Sequence, residues 1–137
     1  MRFLDTNILL RYLTRDDEEK AQASLQLLKR VEKNEEKVLT SPLVIFETIF
    51  TLQSYYKHPR KEITHLLHLI LNVRGLKLEH KETFNKALEL YADDTFSHVS
   101  FADLYNSCYM ALHQVQEIYS YDKDFDRMEG IRRIAPG

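Results

Sequence analysis

Glycine is scarce in this sequence, and its scarcity argues against several classes of site. The 137 residues include three glycines, Gly75, Gly130 and Gly137. They are too few and too far apart to form a phosphate-binding P-loop or a dinucleotide-binding fingerprint. A G-x-S-x-G nucleophile elbow is also absent. We therefore do not expect ATP-driven, nicotinamide-linked or serine-hydrolase chemistry.

Cysteine and long apolar runs are equally sparse. The one cysteine, Cys108, cannot form an internal disulfide. No secretory signal and no apolar run near 18 residues is present, so we expect a cytoplasmic protein without a membrane partner. The net charge of −2 gives no electrostatic sign of nucleic-acid binding. That charge does not exclude a nuclease that holds its substrate through metal ions.

Short apolar stretches alternate with helical patterns along the chain. The predicted strands are Phe3–Leu4, Val38–Leu39, Leu76–Glu79, Glu117–Ser120 and Arg133–Ile134. The predicted helices are Ile8–Leu13, one behind an Asp16-x-x-Glu19 capping box, Leu43–Tyr55 after Ser41-Pro42, Ile63–Val73 capped by Gly75, Phe84–Tyr91 and one opened by Ser100. Helices between strands indicate crossover connections. The sequence thus predicts a single α/β domain over residues 1–137, with a short, mainly parallel central sheet flanked by helices on both faces.

Four acids are placed where such a fold collects its ligands. Asp5 and Asp122 follow predicted strands, whereas Glu47 and Asp103 lie in the first two turns of helices that start from the same sheet edge. Open α/β sheets bind ligands outside the carboxyl ends of their strands. Two carboxylates 4 Å apart repel by about 4 kcal/mol at an effective dielectric near 20. Such a cluster favours a cation, and all-oxygen ligands select Mg²⁺ or Mn²⁺.

Three of the four acids also have an ordinary explanation, and Glu47 differs from them. Asp5 and Asp122 suit helix caps, and Asp103 suits the third position of a capping box. Glu47 lies in a helix that is apolar nearly all round, so we expect it to be buried. A buried carboxylate must be neutralised, paired or bound to a cation.

The segments that carry these acids resemble those of a known family. In chain order they are Phe3–Asn7, Ser41–Glu47, Ser100–Asp103 and Ser120–Asp126. Together they resemble the PIN-domain family and, within it, the VapC-like toxin ribonucleases. The family usually has Thr where Ser120 stands, and Ser keeps the hydroxyl.

The resemblance implies an Mg²⁺- or Mn²⁺-dependent endoribonuclease, the toxin of a toxin–antitoxin pair. It implies an RNA substrate, a cognate antitoxin protein and a homodimer. The implied catalytic metal ligands are Asp5, Glu47, Asp103 and Asp122. The implied supporting residues are Thr6, Asn7 and Ser120. Asp124 and Asp126 are less favoured ligands because Asp122 lies closest to the strand end.

Other interpretations remain open. A haloacid-dehalogenase-type phosphatase requires a second Asp two residues after the first, where Asn7 stands. A response-regulator receiver requires an Asp at the end of a mid-chain strand, and the strand at Leu76 ends in Glu79-His80. A PIN-like RNA-binding or protein-interaction module without catalysis is a further alternative, as is a housekeeping RNA-processing nuclease. The presence of all four acids favours an enzyme.

Overall fold

The structure is a computed structural model and describes residues 1–137. The chain divides into two compact units, Met1–Lys81 and Glu82–Gly137. Each unit is built from α-helices and short parallel strands. None of the helices has the length and apolar character needed to cross a membrane.

The first unit is a three-stranded parallel ladder joined by pairs of helices. Its strands lie in the order β1-β2-β3, with β2 in the centre. Arg2 pairs with Val38, and Val38 pairs with Leu76. The elements are β1 (Arg2–Phe3), α1 (Thr6–Thr14), α2 (Glu18–Glu32), β2 (Val38–Leu39), α3 (Pro42–Ser54), α4 (Arg60–Leu71) and β3 (Leu76–Lys77).

Helix starts in this unit follow local capping chemistry. Ser41 caps α3 by accepting a hydrogen bond from the Val44 N–H at 3.3 Å, and Pro42 occupies the first turn. The predicted Asp16 capping box is wrong by one residue. Asp17 caps α2 by accepting from the Lys20 N–H, whereas the Asp16 carboxylate is bound by Arg11 and Tyr56. Competing side chains outside the helix therefore decide which of the two acids caps it.

Gly75 does not cap α4 as predicted, since that helix ends at Leu71 with Asn72 as its C-cap. A Cβ at Gly75 would lie 2.4 Å from the Glu36 carbonyl oxygen and 2.7 Å from that of Val31. The glycine is required because three backbone segments approach closely just before β3 begins.

Helix α3 is less buried than its sequence predicts. Its inner face is fully or almost fully buried, as at Ile45 and Leu52. Leu43 and Phe50, however, are 66% and 69% exposed. An apolar helix in so small a unit presents more apolar surface than the ladder and its neighbouring helices cover.

The second unit packs an aromatic core beside a two-stranded parallel ladder. Phe84 and Phe101 stack at 6.3 Å between ring centroids, and Tyr91 meets Phe101 edge-on at 5.5 Å. Glu117 pairs with Arg132 at the start of the ladder. The elements are α5 (Lys81–Ala92), a 3-10 turn (Asp94–Phe96), α6 (Phe101–Leu112), β4 (Glu117–Tyr119), a second 3-10 turn (Lys123–Arg127) and β5 (Arg132–Ile134).

The predicted α/β class with parallel strands is confirmed. All five predicted strands exist. Val38–Leu39 has the predicted bounds, and the other four differ by one or two residues at their ends. They pair in two ladders, one in each unit. The single domain over residues 1–137 stays a prediction.

Candidate metal centre

The end of β1 delivers Asp5 on a firmly held backbone. Leu4 is buried, and its N–H donates to the Leu39 carbonyl at 2.8 Å. Its own carbonyl accepts from the buried hydroxyl of Thr40 at 2.9 Å. Both hydrogen-bonding groups of Leu4 are thus fixed to β2 and the residue that follows it. Asp5 comes next in the chain, so its backbone is well located.

Asp5 is not used as a helix cap in the way its ordinary explanation requires. It occupies the N-cap position of α1, but its side chain accepts no capping hydrogen bond. Its carboxylate is exposed and has no ion-pair or hydrogen-bond partner. The oxygen atoms of Asp5 are therefore available to a ligand.

Thr6 connects this strand end to α3. The Thr6 hydroxyl donates to Glu47 Oε2 at 3.2 Å, across 41 positions of sequence. Thr6 is buried, whereas Glu47 is exposed. The predicted burial of Glu47 is wrong, because Glu47 shares its face of α3 with the exposed Leu43 and Phe50. Because Glu47 is exposed, the cost of burying a charge no longer argues for a functional role. The hydrogen bond from Thr6 is the observation that supports such a role instead. Asn7 is exposed in the first turn of α1.

A cluster of three carboxylates forms in the second unit. One carboxylate oxygen from each of Asp103, Asp122 and Asp124 lies within 4.8 Å of the others. Ser100 caps α6 by accepting from the Asp103 N–H at 3.1 Å, which places Asp103 in the first turn. The predicted cap is confirmed. Asp124, the less favoured residue in the sequence, lies with the cluster.

The loop after β4 is shaped by two local hydrogen bonds. The Ser120 hydroxyl accepts from the Asp122 N–H at 3.0 Å. Asp122 Oδ1 then accepts from the Asp124 N–H at 2.9 Å and caps the 3-10 turn. The ordinary explanation of Asp122 as a cap is therefore correct for one of its oxygens. The same bond brings Asp124 back towards Asp122.

Arg133 holds this loop from β5. Its Nε lies 3.0 Å from Asp126 Oδ1 and its Nη2 lies 3.3 Å from Asp126 Oδ2. Its Nη1 donates to the Ser120 carbonyl at 3.1 Å. Asp126 is thereby occupied by a guanidinium rather than available to the cluster. The structure thus separates the late acids into Asp122 and Asp124 on one side and Asp126 on the other.

The crowding of carboxylates changes the acidity of one of them. Partial burial raises the pKa of Asp103, and the negative charges of Asp122 and Asp124 raise it further. A hydrogen bond with Ser100 opposes that rise. A bound cation would relieve this repulsion, since it would favour the ionised form of all three acids.

Comparison with known proteins identifies the fold family. A family model described as the PIN domain matches residues 2–131. The chain belongs to the PIN-domain family. The resemblance drawn from the four acidic segments is confirmed.

Two relatives bear the VapC name. A VapC ribonuclease from Aquifex aeolicus (strain VF5) is 27% identical over 136 residues, which cover 99% of this chain and 97% of the relative. The crystal structure of VapC20 from Mycobacterium tuberculosis, described as a toxin that cleaves the sarcin–ricin loop, is 20% identical. The structural alignment covers 99% of this chain and 100% of the VapC20 chain, with a TM-score of 0.43.

The residues of this PIN domain suit the divalent metal that such nucleases employ. The donors of the Asp103–Asp122–Asp124 cluster are all carboxylate oxygens, the ligand type that Mg²⁺ and Mn²⁺ prefer. No cysteine lies among them. Asp103 already experiences the repulsion that a cation would remove.

Sequence reasoning missed three side chains that shape the acidic segments of this PIN domain. Thr40 fixes the carbonyl before Asp5, Arg133 binds Asp126, and His98 Nε2 lies 3.4 Å from Asp124 Oδ1. The position of Thr40 directly after a strand was the one signal available. Arg133 and His98 act through contacts with the loop after β4, which no sequence spacing indicates.

Proposed function

We propose that this PIN domain is a divalent-metal-dependent endoribonuclease that acts in the cytoplasm as the toxin of a toxin–antitoxin pair. The observation that carries the proposal is the cluster of Asp103, Asp122 and Asp124. It occurs in a chain that aligns over nearly its whole length with a VapC ribonuclease. The similarity to a VapC ribonuclease supports RNA as the substrate, and the clustered acids could bind the metal ion needed for cleavage.

The proposed metal ligands are Asp5, Glu47, Asp103 and Asp122, and the proximity of Asp124 to the last two supports its inclusion in that set. When bound, Mg²⁺ or Mn²⁺ would activate a water molecule and stabilise charge at the scissile phosphate. Thr6 orients the Glu47 carboxylate through its hydroxyl. Ser120 fixes the backbone from which Asp122 projects. Asn7 offers an exposed amide beside Asp5. Such supporting hydrogen bonds orient ligands and tune their affinity.

The proposed chemistry predicts the ends of the products. A site made of acids favours water as the nucleophile over the ribose 2′-hydroxyl. Hydrolysis should then leave a 5′-phosphate and a 3′-hydroxyl. Attack by the 2′-hydroxyl would leave a 2′,3′-cyclic phosphate instead.

A fluorescence assay tests this function directly. A quenched, dye-labelled RNA is incubated with the chain and Mn²⁺, and a parallel sample contains EDTA. We expect cleavage with Mn²⁺, none with EDTA, and 5′-phosphate ends on the fragments. Activity in EDTA or cyclic-phosphate ends would contradict the mechanism. A folded chain that binds RNA without cutting it would instead support the non-catalytic module.

The same proposal includes two protein partners. A cytoplasmic ribonuclease threatens its own cell, so an antitoxin encoded nearby should inhibit it. We infer that the antitoxin places an Arg or Lys side chain against Asp5 and Asp103, where it competes with the metal. We also infer a homodimer. The exposed apolar side chains of Leu43 and Phe50 on α3 support it, because apolar surface of this kind marks interaction sites.

A further inference from the structure

A basic cavity lies in the first unit, beside the starts of β2 and β3. Its volume is about 590 Å³, and its charged lining consists of Lys37, Arg74, Lys77 and Lys81. Asn34 adds an amide, and no Asp or Glu lines the cavity. The chain as a whole carries a net charge of −2, so four cations around one cavity are a local concentration of positive charge. We call the cavity lined by these four cations the basic cavity.

The charges of the basic cavity are not neutralised by the protein itself. Lys37, Arg74 and Lys77 form no ion pair. The acid next to Lys37 in sequence is Glu36, and its two oxygens are bound by Arg2 and Arg30, each at 3.3 Å. The charges of Lys37, Arg74 and Lys77 are therefore available to an external anion.

Lys81 is the most enclosed cation of the basic cavity. Its ammonium group donates one hydrogen bond to the Leu76 carbonyl. Partial burial lowers the pKa of Lys81, since the ammonium has lost water without gaining a carboxylate. A bound anion would restore the lost stabilisation of that charge.

Lys37 and Asp5 lie towards opposite ends of the strands in the three-stranded ladder. Lys37 precedes the first residue of β2, which pairs with Arg2, whereas Asp5 follows the carboxyl end of β1. Lys37 is thus level with Met1, four residues before Asp5. At about 3.3 Å per residue, Lys37 lies about 13 Å from Asp5 along the strand direction, and Lys77, which is level with Phe3, lies about 7 Å from it. A stacked nucleic-acid strand rises about 3.4 Å per nucleotide, so these distances correspond to roughly two to four nucleotides.

We propose that the basic cavity binds backbone phosphates of the RNA substrate, several nucleotides away from the bond that is cut. This inference rests on the proposed ribonuclease function. Clustered carboxylates repel RNA, so the affinity for a polyanion must come from another part of the surface. Four cations without carboxylate partners provide it, since phosphate contacts by Lys and Arg dominate the affinity of nucleic-acid binding.

Salt-dependent RNA binding tests the basic cavity, with EDTA present to prevent cleavage. Anisotropy of a labelled single-stranded RNA of about 12 nucleotides is measured between roughly 50 and 300 mM salt, because each lost phosphate contact lowers the salt slope of log affinity by about 0.7. The test variant is Lys37→Gln with Lys77→Gln. The control is Lys20→Gln with Lys29→Gln on the exposed surface of α2, which changes the net charge equally.

We expect the test pair to lower the slope by about 1.4 and the control pair to leave it unchanged. Arg74→Gln alone should lower the salt slope by about 0.7, which provides a second test at a residue in the connection between α4 and β3. Equal slopes in the test and control pairs would overturn the proposal.

If wild type binds RNA but does not cut it with Mn²⁺, the ribonuclease function fails while the binding result stands. If wild type cuts RNA and the test pair binds like the control, the basic cavity alone is wrong. Competition by an acidic peptide without any loss of RNA affinity in the test pair would assign the basic cavity to a protein partner.

Discussion

The Arg133 guanidinium binds both carboxylate oxygens of Asp126, at 3.0 and 3.3 Å. A third contact, from Nη1 to the Ser120 carbonyl at 3.1 Å, ties the same side chain to the end of β4. One arginine therefore holds both ends of the loop that carries Asp122 and Asp124, and it keeps Asp126 out of their cluster.

Replacement of Arg133 should weaken both the fold and metal binding. Arg133→Met removes a forked interaction in which the arginine is mostly enclosed and Asp126 is half exposed, and this loss should cost about 1 kcal/mol of unfolding free energy. Loss of a group that orients metal ligands typically lowers metal affinity about tenfold or more. Urea unfolding and calorimetric titration with Mn²⁺ measure the two effects.

Arg132→Met is the matched control for that variant. Arg132 stands next to Arg133 on β5 and pairs with Glu117, but its side chain is 74% exposed against 18% for Arg133. Surface ion pairs contribute roughly 0–1 kcal/mol. We expect little change in Mn²⁺ affinity. Equal Mn²⁺ affinities for the two variants would show that Arg133 does not position the loop.

The Thr6 hydroxyl should matter for cleavage more than for stability. Thr6→Val keeps the side-chain volume but removes the donor to Glu47. We expect kcat/KM for RNA to fall about tenfold, as is typical when a supporting hydrogen bond to a ligand is lost, and Thr6→Ser to restore it.

Thr48→Val provides the comparison for Thr6. Thr48 is fully buried, and its hydroxyl donates to the Val44 carbonyl within α3 at 2.8 Å. That variant should lose about 1 kcal/mol of stability and retain cleavage. If Thr6→Val cleaves RNA as well as Thr48→Val does, the orienting role of Thr6 is wrong.

The raised pKa of Asp103 predicts a pH-dependent stability of the metal-free chain. Folded Asp103 holds its proton more tightly than the unfolded chain, whose ordinary pKa is 3.8. Its contribution therefore stabilises the fold at low pH and is lost as the pH rises from 3.8 through the raised folded pKa. In EDTA, Asp103→Asn should raise the melting temperature near pH 7 by more than it does near pH 4, since the wild-type carboxyl is more fully ionised at the higher pH. The same shift at both pH values would contradict the repulsion among the three acids.

The exposed face of α3 predicts the behaviour of the dimer. Phe50→Glu places a charge where an interface would bury an aromatic ring, and it should convert the dimer to a monomer at micromolar concentration. Leu112→Glu, on the surface of α6, serves as control because Leu112 is another exposed apolar side chain, at 51% against 69% for Phe50. Sedimentation velocity measures both. A wild-type chain that sediments as a monomer removes the dimer from the proposal.

The sequence predicts those features that local chemistry determines. Ser41 and Ser100 cap their helices as expected, and the strand near Val38 has the predicted bounds. The predicted Asp16 capping box is wrong because Arg11 and Tyr56, which lie outside α2, bind the Asp16 carboxylate and Asp17 caps the helix instead. The predicted burial of Glu47 is wrong because the apolar character of a helix does not reveal how much of its surface the neighbouring elements cover. The pair of Arg133 with Asp126 depends on the path of the loop after β4, which no residue spacing specifies.

The central claim is that the Asp103–Asp122–Asp124 cluster binds the catalytic metal ion. Calorimetric titration with Mn²⁺ tests it most directly in wild type, Asp103→Asn and Asp122→Asn. Asp17→Asn is the control, because it removes an equal charge from the exposed cap of α2. We predict that each cluster variant loses most of the Mn²⁺ affinity and that the control keeps it. Wild-type Mn²⁺ affinity in Asp103→Asn would contradict the claim.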